Sequence, residues 1–248
     1  MHKLLTFSFG AAALALAITG VQAQQTPPPP ATTPQAGPPQ EKARPIENGG
    51  IFVDGWMGKV DANAEAQGQG VKDSRFAKEG DAFHVTTGPA ITYWSPKMKL
   101  SGDYTVSATF TEPKYMNRNT HPHPYGIVIA GNDMGTAEET DLYCAAYGNG
   151  NFIVRGFGPT AFQMNGRRGE ANDAVHKAPG VDQPVTQTIA MQVKGDKVSC
   201  IINGTEVASY NKTDVVTAGK LKSTDGTAGI RFAHNTDALV TDFKVTKQ

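Results

Sequence analysis

The sequence lacks any excess of charge, because its 23 basic residues are balanced by 23 acidic ones and its formal charge is zero. A near-neutral surface provides no electrostatic basis for binding nucleic acid or an anionic membrane, so neither is an expected partner. Glycine and proline are frequent by contrast, with 27 and 16 residues, and they indicate a chain with many turns.

The sequence also lacks an apolar run of the length that a membrane-spanning helix needs, about 20 residues. The candidate run, residues 4–19, is shorter, follows a short basic start and ends before the small residues of the segment Val21-Gln22-Ala23. This order is typical of a signal peptide, which we expect over residues 1–23. The mature protein would be secreted or periplasmic, with no membrane attachment after signal cleavage.

Residues 24–47 have little sequence complexity, with prolines spaced among alanine, threonine and glutamine. Such a segment buries too little apolar surface to fold, so we expect a disordered linker with partial polyproline character. The domain expected over residues 48–248 has about 200 residues, which is enough for one buried core.

No stretch sustains the 3.6-residue period of an amphipathic helix, and at most one helical turn is expected, within residues 213–222. Residues 188–210 instead alternate apolar and polar positions, with turns at Gly195-Asp196 and Asn203-Gly204, as consecutive antiparallel strands do. The predicted strands cover residues 51–56, 82–85, 90–94, 104–110, 126–130, 141–147, 152–156, 188–193, 198–202, 205–210, 227–232 and 238–245. A dozen short strands predict an all-β sandwich or barrel.

Two segments, MQVKGDKVSCIINGTEVASY and DGTAGIRFAHNTDALVTDFKV, resemble the concanavalin A-like lectin and glucanase superfamily. The positions that carry the second likeness are Gly226, Gly229, Ile230, Arg231, Asp242 and Phe243. The segment PAITYWSPKMKLSGDYTVSATFTEP resembles two earlier strands of the same fold. The resemblance covers roughly residues 50–245 and implies a jelly-roll sandwich of two curved antiparallel sheets. Among secreted bacterial branches the chain looks most like 3-keto-disaccharide hydrolase type domains, although only Gly55-Trp56 remains of their usual start.

The glucanase branch of this superfamily carries catalytic carboxylates at alternate positions of one strand. Glu139 and Asp141 match two of these positions, whereas the third is Tyr143 or Cys144. The resemblance implies Glu139 and Asp141 as catalytic residues, with the missing acid supplied from elsewhere. Because side chains alternate along a strand, we expect the two carboxylates on a solvent-facing or concave surface and Leu142 on the core side. A polar outer face without chemistry is the alternative.

Sugars are bound by aromatic rings flanked by carboxylates, amides and arginine. The residues expected to bind a carbohydrate substrate are Trp94, Tyr143, Tyr147 and Arg155. Packing in the core or at a sheet edge is the alternative for the three aromatic residues. Arg231 is expected to pair with a carboxylate such as Asp242.

Metal binding has two candidates, and the prediction is that the protein has no cofactor. His121 and His123 are two residues apart, as the first ligands of a zinc or copper site can be, but the interleaved prolines favour an ordinary loop. Calcium is the alternative, held by the carboxylates of Asp133, Glu138, Glu139 and Asp141.

Cysteine is scarce, and the two present, Cys144 and Cys200, both occupy apolar positions of predicted strands. Export would permit a disulfide between them, whereas two buried thiols are the alternative. Three functions remain for what is expected to be a monomer. It binds carbohydrate on its concave sheet, hydrolyses a glycoside of the keto-sugar or glucanase type, or serves as a non-catalytic interaction domain of the cell envelope.

Overall fold

The computed structural model describes residues 42–118 and 120–247. The predicted signal peptide and most of the predicted linker lie outside the described residues. The described end of the linker contacts the domain, because Asn235 accepts a hydrogen bond from the Arg44 backbone N–H (2.7 Å) and donates one to the Lys42 carbonyl (3.3 Å). No helix in the described part of the chain is long and apolar enough to cross a membrane.

The described residues form a sandwich of two β-sheets. In chain order the strands are β1 (Gly50–Phe52), β2 (Met57–Val60), β3 (Ser74–Glu79), β4 (Ala82–Thr87), β5 (Ile91–Trp94), β6 (Tyr104–Glu112), β7 (Tyr125–Asn132), β8 (Thr140–Ala146), β9 (Asn151–Phe157), β10 (Phe162–Gln163), β11 (Glu170–Ala171), β12 (Val185–Lys194), β13 (Lys197–Ile202), β14 (Thr205–Asn211), β15 (Thr227–Phe232) and β16 (Asp237–Lys247). The short helices are α1 (Ala62–Glu65), α2 (Lys212–Val215) and a 3₁₀ turn at Val71–Asp73.

The first sheet has the order β1-β3-β4-β16-β6-β12-β13-β14, and the second has the order β10-β9-β8-β7-β15-β5-β2, with β11 also paired to β9. All of these pairings are antiparallel except that of β1 with β3. The predicted all-β sandwich of two antiparallel sheets is therefore confirmed.

The alternation of residues 188–210 is also confirmed. Ile189, Met191 and Val193 of β12 point into the core, and the neighbouring polar side chains face outward. Asn203 and Gly204 both have positive φ, 50° and 84°, as a two-residue hairpin turn requires.

The strand prediction was wrong over residues 53–56, which form a turn between β1 and β2. Strands β2, β3, β10 and β11 were not predicted. Strand β3 escapes the pattern because its sequence SRFAKE has two adjacent apolar residues rather than an alternation, yet Phe76 at its centre is fully buried. Strands β10 and β11 are only two residues long.

The core lies between the two sheets and is rich in aromatic rings. Phe76 packs against Tyr93 across the sheets with ring centres 4.6 Å apart, and Phe110 stacks on Tyr125 at 5.6 Å. Complete burial of one such ring stabilises the fold by roughly 1.5–3 kcal/mol. These contacts fix the position of the second sheet, whose outer face carries the predicted site.

A disulfide links Cys144 of β8 to Cys200 of β13, with their Cα atoms 5.8 Å apart. Because β8 belongs to the second sheet and β13 to the first, the bridge crosses the core. The structure therefore contains the disulfide and not the alternative of two free thiols.

Candidate functional site

The outer face of the second sheet, turned away from the core, carries most of the predicted site residues. The predicted alternation of β8 is confirmed, because Leu142 belongs to the core cluster while Tyr143 belongs to a separate cluster on the opposite face. The register of β8 with β9 places Arg155 opposite Tyr143 and Phe157 opposite Asp141.

Arg231 is the central charge of this outer face, and it is 7% exposed. Its Nη2 lies 2.7 Å from Oδ2 of Asp61, and its Nη1 donates to Thr92 Oγ1 at 2.9 Å. The guanidinium carbon lies 5.0 Å from the ring centre of Tyr143 and 4.7 Å from that of Phe157. The guanidinium is thus held by one carboxylate, one hydroxyl and two rings.

The predicted pairing of Arg231 with Asp242 is wrong. Arg231 lies on β15 in the second sheet, whereas Asp242 lies on β16 in the first sheet, where its carboxylate accepts a hydrogen bond from Thr241 Oγ1. The two residues are close in sequence but separated by the sandwich, and Asp61 supplies the carboxylate instead.

Asp141 is buried beside this ion pair, with 1% of its surface exposed. Burial raises the pKa of its carboxyl to about 7 despite the opposing effect of Arg231, and the Glu139 carboxylate also raises it. Since Asp61 already balances the charge of Arg231, a second buried negative charge at Asp141 has no counter-ion of its own. Its Oδ1 has no hydrogen-bond partner among the described residues. The expected solvent-facing position is therefore wrong for Asp141, although it lies on the outer face.

The raised pKa of Asp141 predicts that the stability of the fold depends on pH. A carboxyl whose folded pKa is raised from 3.8 to about 7 binds its proton more tightly in the folded chain. The free energy of unfolding should then fall as pH rises between those values, by at most about 1.4 kcal/mol per pH unit. Asp141→Asn cannot lose this proton, so its stability relative to the wild type should rise with pH. Urea unfolding of both proteins at pH 4.5, 5.5 and 7 measures the difference, and identical pH profiles would contradict a proton on Asp141.

An open groove of about 800 Å³ lies between residues 59–65, 135–139 and 155–161. Its lining includes six charged or amide side chains, Lys59, Asp61, Asn63, Glu65, Glu139 and Arg155, together with the half-buried ring of Phe157. The groove is therefore a concave surface with hydrogen-bond donors, acceptors and one aromatic side chain.

Glu139 is held in place within this groove. One carboxylate oxygen lies 3.3 Å from Lys59 Nζ, and the other accepts the backbone N–H of Gly135 at 3.0 Å. Lys59 Nζ also donates to the carbonyl of Thr136 at 2.8 Å. These contacts tie the 135–139 loop to β2, so the groove wall is formed before any ligand arrives.

The predicted site residues are only partly brought together. Glu139 and Arg155 both line the groove. Trp94 and Tyr143 are 3% and 5% exposed, so neither offers an open ring to a sugar. Trp94 is covered by the loop at Gly135, where a Cβ would lie 3.3 Å from the indole ring. Tyr147 is half-buried against the outer cluster.

Lys59, Asp61, Asn63 and Phe157 were not predicted as site residues. The first three lie on or just after β2, a strand that sequence reasoning missed. The signal for Phe157 was present, because it continues the alternation of Ile153 and Arg155 along β9.

The carboxylates considered for calcium do not share a centre. Asp133 pairs with Lys222, Glu139 with Lys59, and Asp141 is buried beside Arg231. In the described part of the chain, one group of histidine, cysteine or acidic side chains lies close enough together to hold a metal ion. This group consists of three histidines at another place in the fold.

No family model matches this chain, and no curated protein sequence matches it. Solved structures match its fold. A Bacillus subtilis protein of unknown function with a galectin-like fold has a TM-score of 0.52 at 14% identity, covering 77% of this chain and 89% of that one. The carbohydrate-binding module CBM66 of Bacillus subtilis has a TM-score of 0.52 at 10% identity, covering 82% of this chain and 100% of that one.

Identities this low show the fold alone. The chain has a galectin-like β-sandwich fold, which confirms the concanavalin A-like fold that its strand motifs predicted. The more specific likeness to 3-keto-disaccharide hydrolase type domains stays a prediction.

Proposed function

We propose that this protein binds carbohydrate in the groove on the outer face of its second sheet. The observation that carries the proposal is the groove itself, where Glu139 and Arg155 meet Lys59 and Asn63 around the ring of Phe157. A sugar presents hydroxyl groups that both donate and accept hydrogen bonds, together with apolar ring faces. Arginine, lysine and asparagine can donate to such hydroxyls, carboxylates can accept from them, and an aromatic ring can pack on the sugar face.

The groove is suited to binding because its groups are already positioned. Arg231 lies against the Phe157 ring at 4.7 Å and fixes its orientation from within the sheet face. Arg155 lines the groove and is only partly buried, so its guanidinium can donate hydrogen bonds to the hydroxyl groups of a bound sugar. Groups held in place lose less conformational entropy on binding.

Two further observations support the proposal. One solved structure with a similar fold is named as a carbohydrate-binding module. The Cys144–Cys200 disulfide suits an oxidising compartment, which agrees with the proposed export through residues 1–23. These observations support our proposal that the protein lies outside the cytoplasm, secreted or periplasmic, and its being a monomer stays a prediction from the sequence.

Arg155→Ala is expected to weaken carbohydrate binding by about tenfold or more, since a hydrogen bond from a charged donor contributes roughly 1.5–3 kcal/mol. A glycan array would identify a ligand for the wild-type protein, and titration calorimetry would compare the dissociation constants. Arg75→Ala is the matched control, because Arg75 carries the same charge on β3 of the other sheet. Unchanged affinity in Arg155→Ala would exclude this groove.

The hydrolase alternative is favoured by the raised pKa of Asp141, about 7, near the Glu139 carboxylate, since glycosidases pair a protonated and an ionised carboxyl group. The 1% exposure of Asp141 makes binding the better-supported function. The same glycans distinguish the two, because hydrolysis releases products and Glu139→Gln would abolish that release. If the protein binds no glycan, the proposal of carbohydrate binding is refuted. The remaining function is then a non-catalytic interaction domain of the cell envelope.

A further inference from the structure

Three histidines meet at the ends of two paired strands. Strand β7 pairs with β15 in antiparallel register, with Tyr125 opposite Phe232. The pairing continues one step beyond the strands, because the Ala233 N–H donates to the Pro124 carbonyl at 3.0 Å. The next opposed positions are His123 and His234, and their ring centres lie 4.1 Å apart.

His121 joins this pair from the segment before β7, two residues ahead of His123 in the chain. Their ring centres are 4.3 Å apart, and that of His121 lies 5.8 Å from that of His234. Each of the three rings has a nitrogen within 4.8 Å of a nitrogen on both of the others.

We propose that His121, His123 and His234 form a binding site for a divalent late transition metal, of which zinc is the expected ion. Around a tetrahedral zinc the Zn–N distance is about 2.0–2.1 Å, which places ligand nitrogens roughly 3.3 Å apart. The observed separations reach this geometry through small side-chain rotations. Imidazole nitrogens favour zinc, copper and nickel, whereas calcium requires oxygen ligands.

The surroundings define an open site rather than a closed one. Three protein ligands leave the fourth position to water or another small ligand. His121 is exposed and His123 is buried, so the proposed centre lies at the surface and is anchored from inside. Both cysteines are consumed by the disulfide and cannot complete the coordination.

A cleft next to the histidines supplies the charged side chains that surround this open coordination position. It is lined by Glu112, Lys114, Arg118 and Asp237 as well as by His121 and His123. Glu112 is 9% exposed, and its Oε2 has no hydrogen-bond partner among the described residues, so it would be available for a hydrogen bond with a group bound in the cleft. This cleft shares no lining residue with the proposed carbohydrate groove, so the two proposals stand or fall separately.

The neighbouring charges also shape the ligand set. Arg44 adds positive charge near His123, and the cleft contributes two basic side chains, Lys114 and Arg118, and two acidic ones, Glu112 and Asp237. The open position can therefore accept water or a ligand with negative charge, such as hydroxide or a carboxylate.

Titration calorimetry with zinc chloride tests the site on full-length mature protein that carries no histidine tag and has been treated with a chelator. One zinc ion per chain is expected, with no heat from calcium chloride. Loss of a group that only hydrogen-bonds to a metal ligand weakens metal affinity by roughly 10–100-fold, so His234→Ala, which removes a ligand itself, should weaken it by about 100-fold or more. Absence of stoichiometric zinc binding by the wild type would overturn the proposal.

His176→Ala is the matched control, because His176 is exposed, lies outside the cluster and bonds instead to the Thr186 carbonyl at 2.7 Å. Equal losses in His176→Ala and His234→Ala would refute the assignment. His121→Ala removes an exposed ligand without disturbing the core, and it should abolish the zinc-induced rise in melting temperature while the zinc-free protein melts as the wild type does. If zinc raises the melting temperature of His121→Ala as much as that of the wild type, the proposed site is also overturned.

Discussion

Arg231→Met is expected to lower the free energy of unfolding by about 3 kcal/mol or more, the usual cost of removing one partner from a buried ion pair. Asp61 would lose the guanidinium at 2.7 Å, and Thr92 would lose its donor at 2.9 Å. Tyr143 and Phe157 would each lose a cationic contact worth roughly 0.5–2 kcal/mol. Methionine fills part of the volume, so the loss reports the charge more than a cavity.

Urea unfolding measures this loss, and Arg75→Met provides the matched control. Arg75 also lies 4.7 Å from a phenylalanine ring, that of Phe52, but Phe52 is 54% exposed. The control should therefore change stability by less than about 1 kcal/mol. The double variant Asp61→Asn with Arg231→Met should recover part of the loss, because no unpaired charge then remains. A loss below 1 kcal/mol in Arg231→Met would contradict a central role for this ion pair.

The Arg231 pair also shows where sequence reasoning stops. Local alternation predicted β8, β9, β12 and β13, and it predicted which face of β8 enters the core, since those properties depend on neighbouring residues. The partner of Arg231 is 170 residues away in sequence, on a segment next to an unpredicted strand. Asp242 was the nearer carboxylate in the chain, but strands adjacent in sequence here belong to different sheets.

The histidine cluster was missed for the same reason. His121 and His123 were visible as a local pair, and His234 lay at the end of a correctly predicted strand. Only the pairing of β7 with β15 brings them together, and the register of two strands a hundred residues apart has no local signal. Trp94 shows the opposite error, because a loop some forty residues later in the chain covers its ring.

Replacing both cysteines by alanine is expected to lower the free energy of unfolding by about 4 kcal/mol, the loop-entropy value for a bridge between residues 56 apart in sequence. The bridge links the β8 segment to the β13 segment. Its loss removes the covalent constraint that limits how far these two segments can separate in the unfolded chain. Alanine adds no polar group at either position, both of which are at most 1% exposed.

Urea unfolding with and without a reducing agent measures this effect. The reduced wild type should unfold with a free energy close to that of the double alanine variant, and the variant itself should not respond to the reductant. Because both sulfurs are buried, reduction of the folded wild type should require unfolding and therefore accelerate in moderate urea. Equal stability of the oxidised and reduced wild type would show that the bridge does not stabilise the sandwich, and it would remove a main structural support for an oxidising compartment.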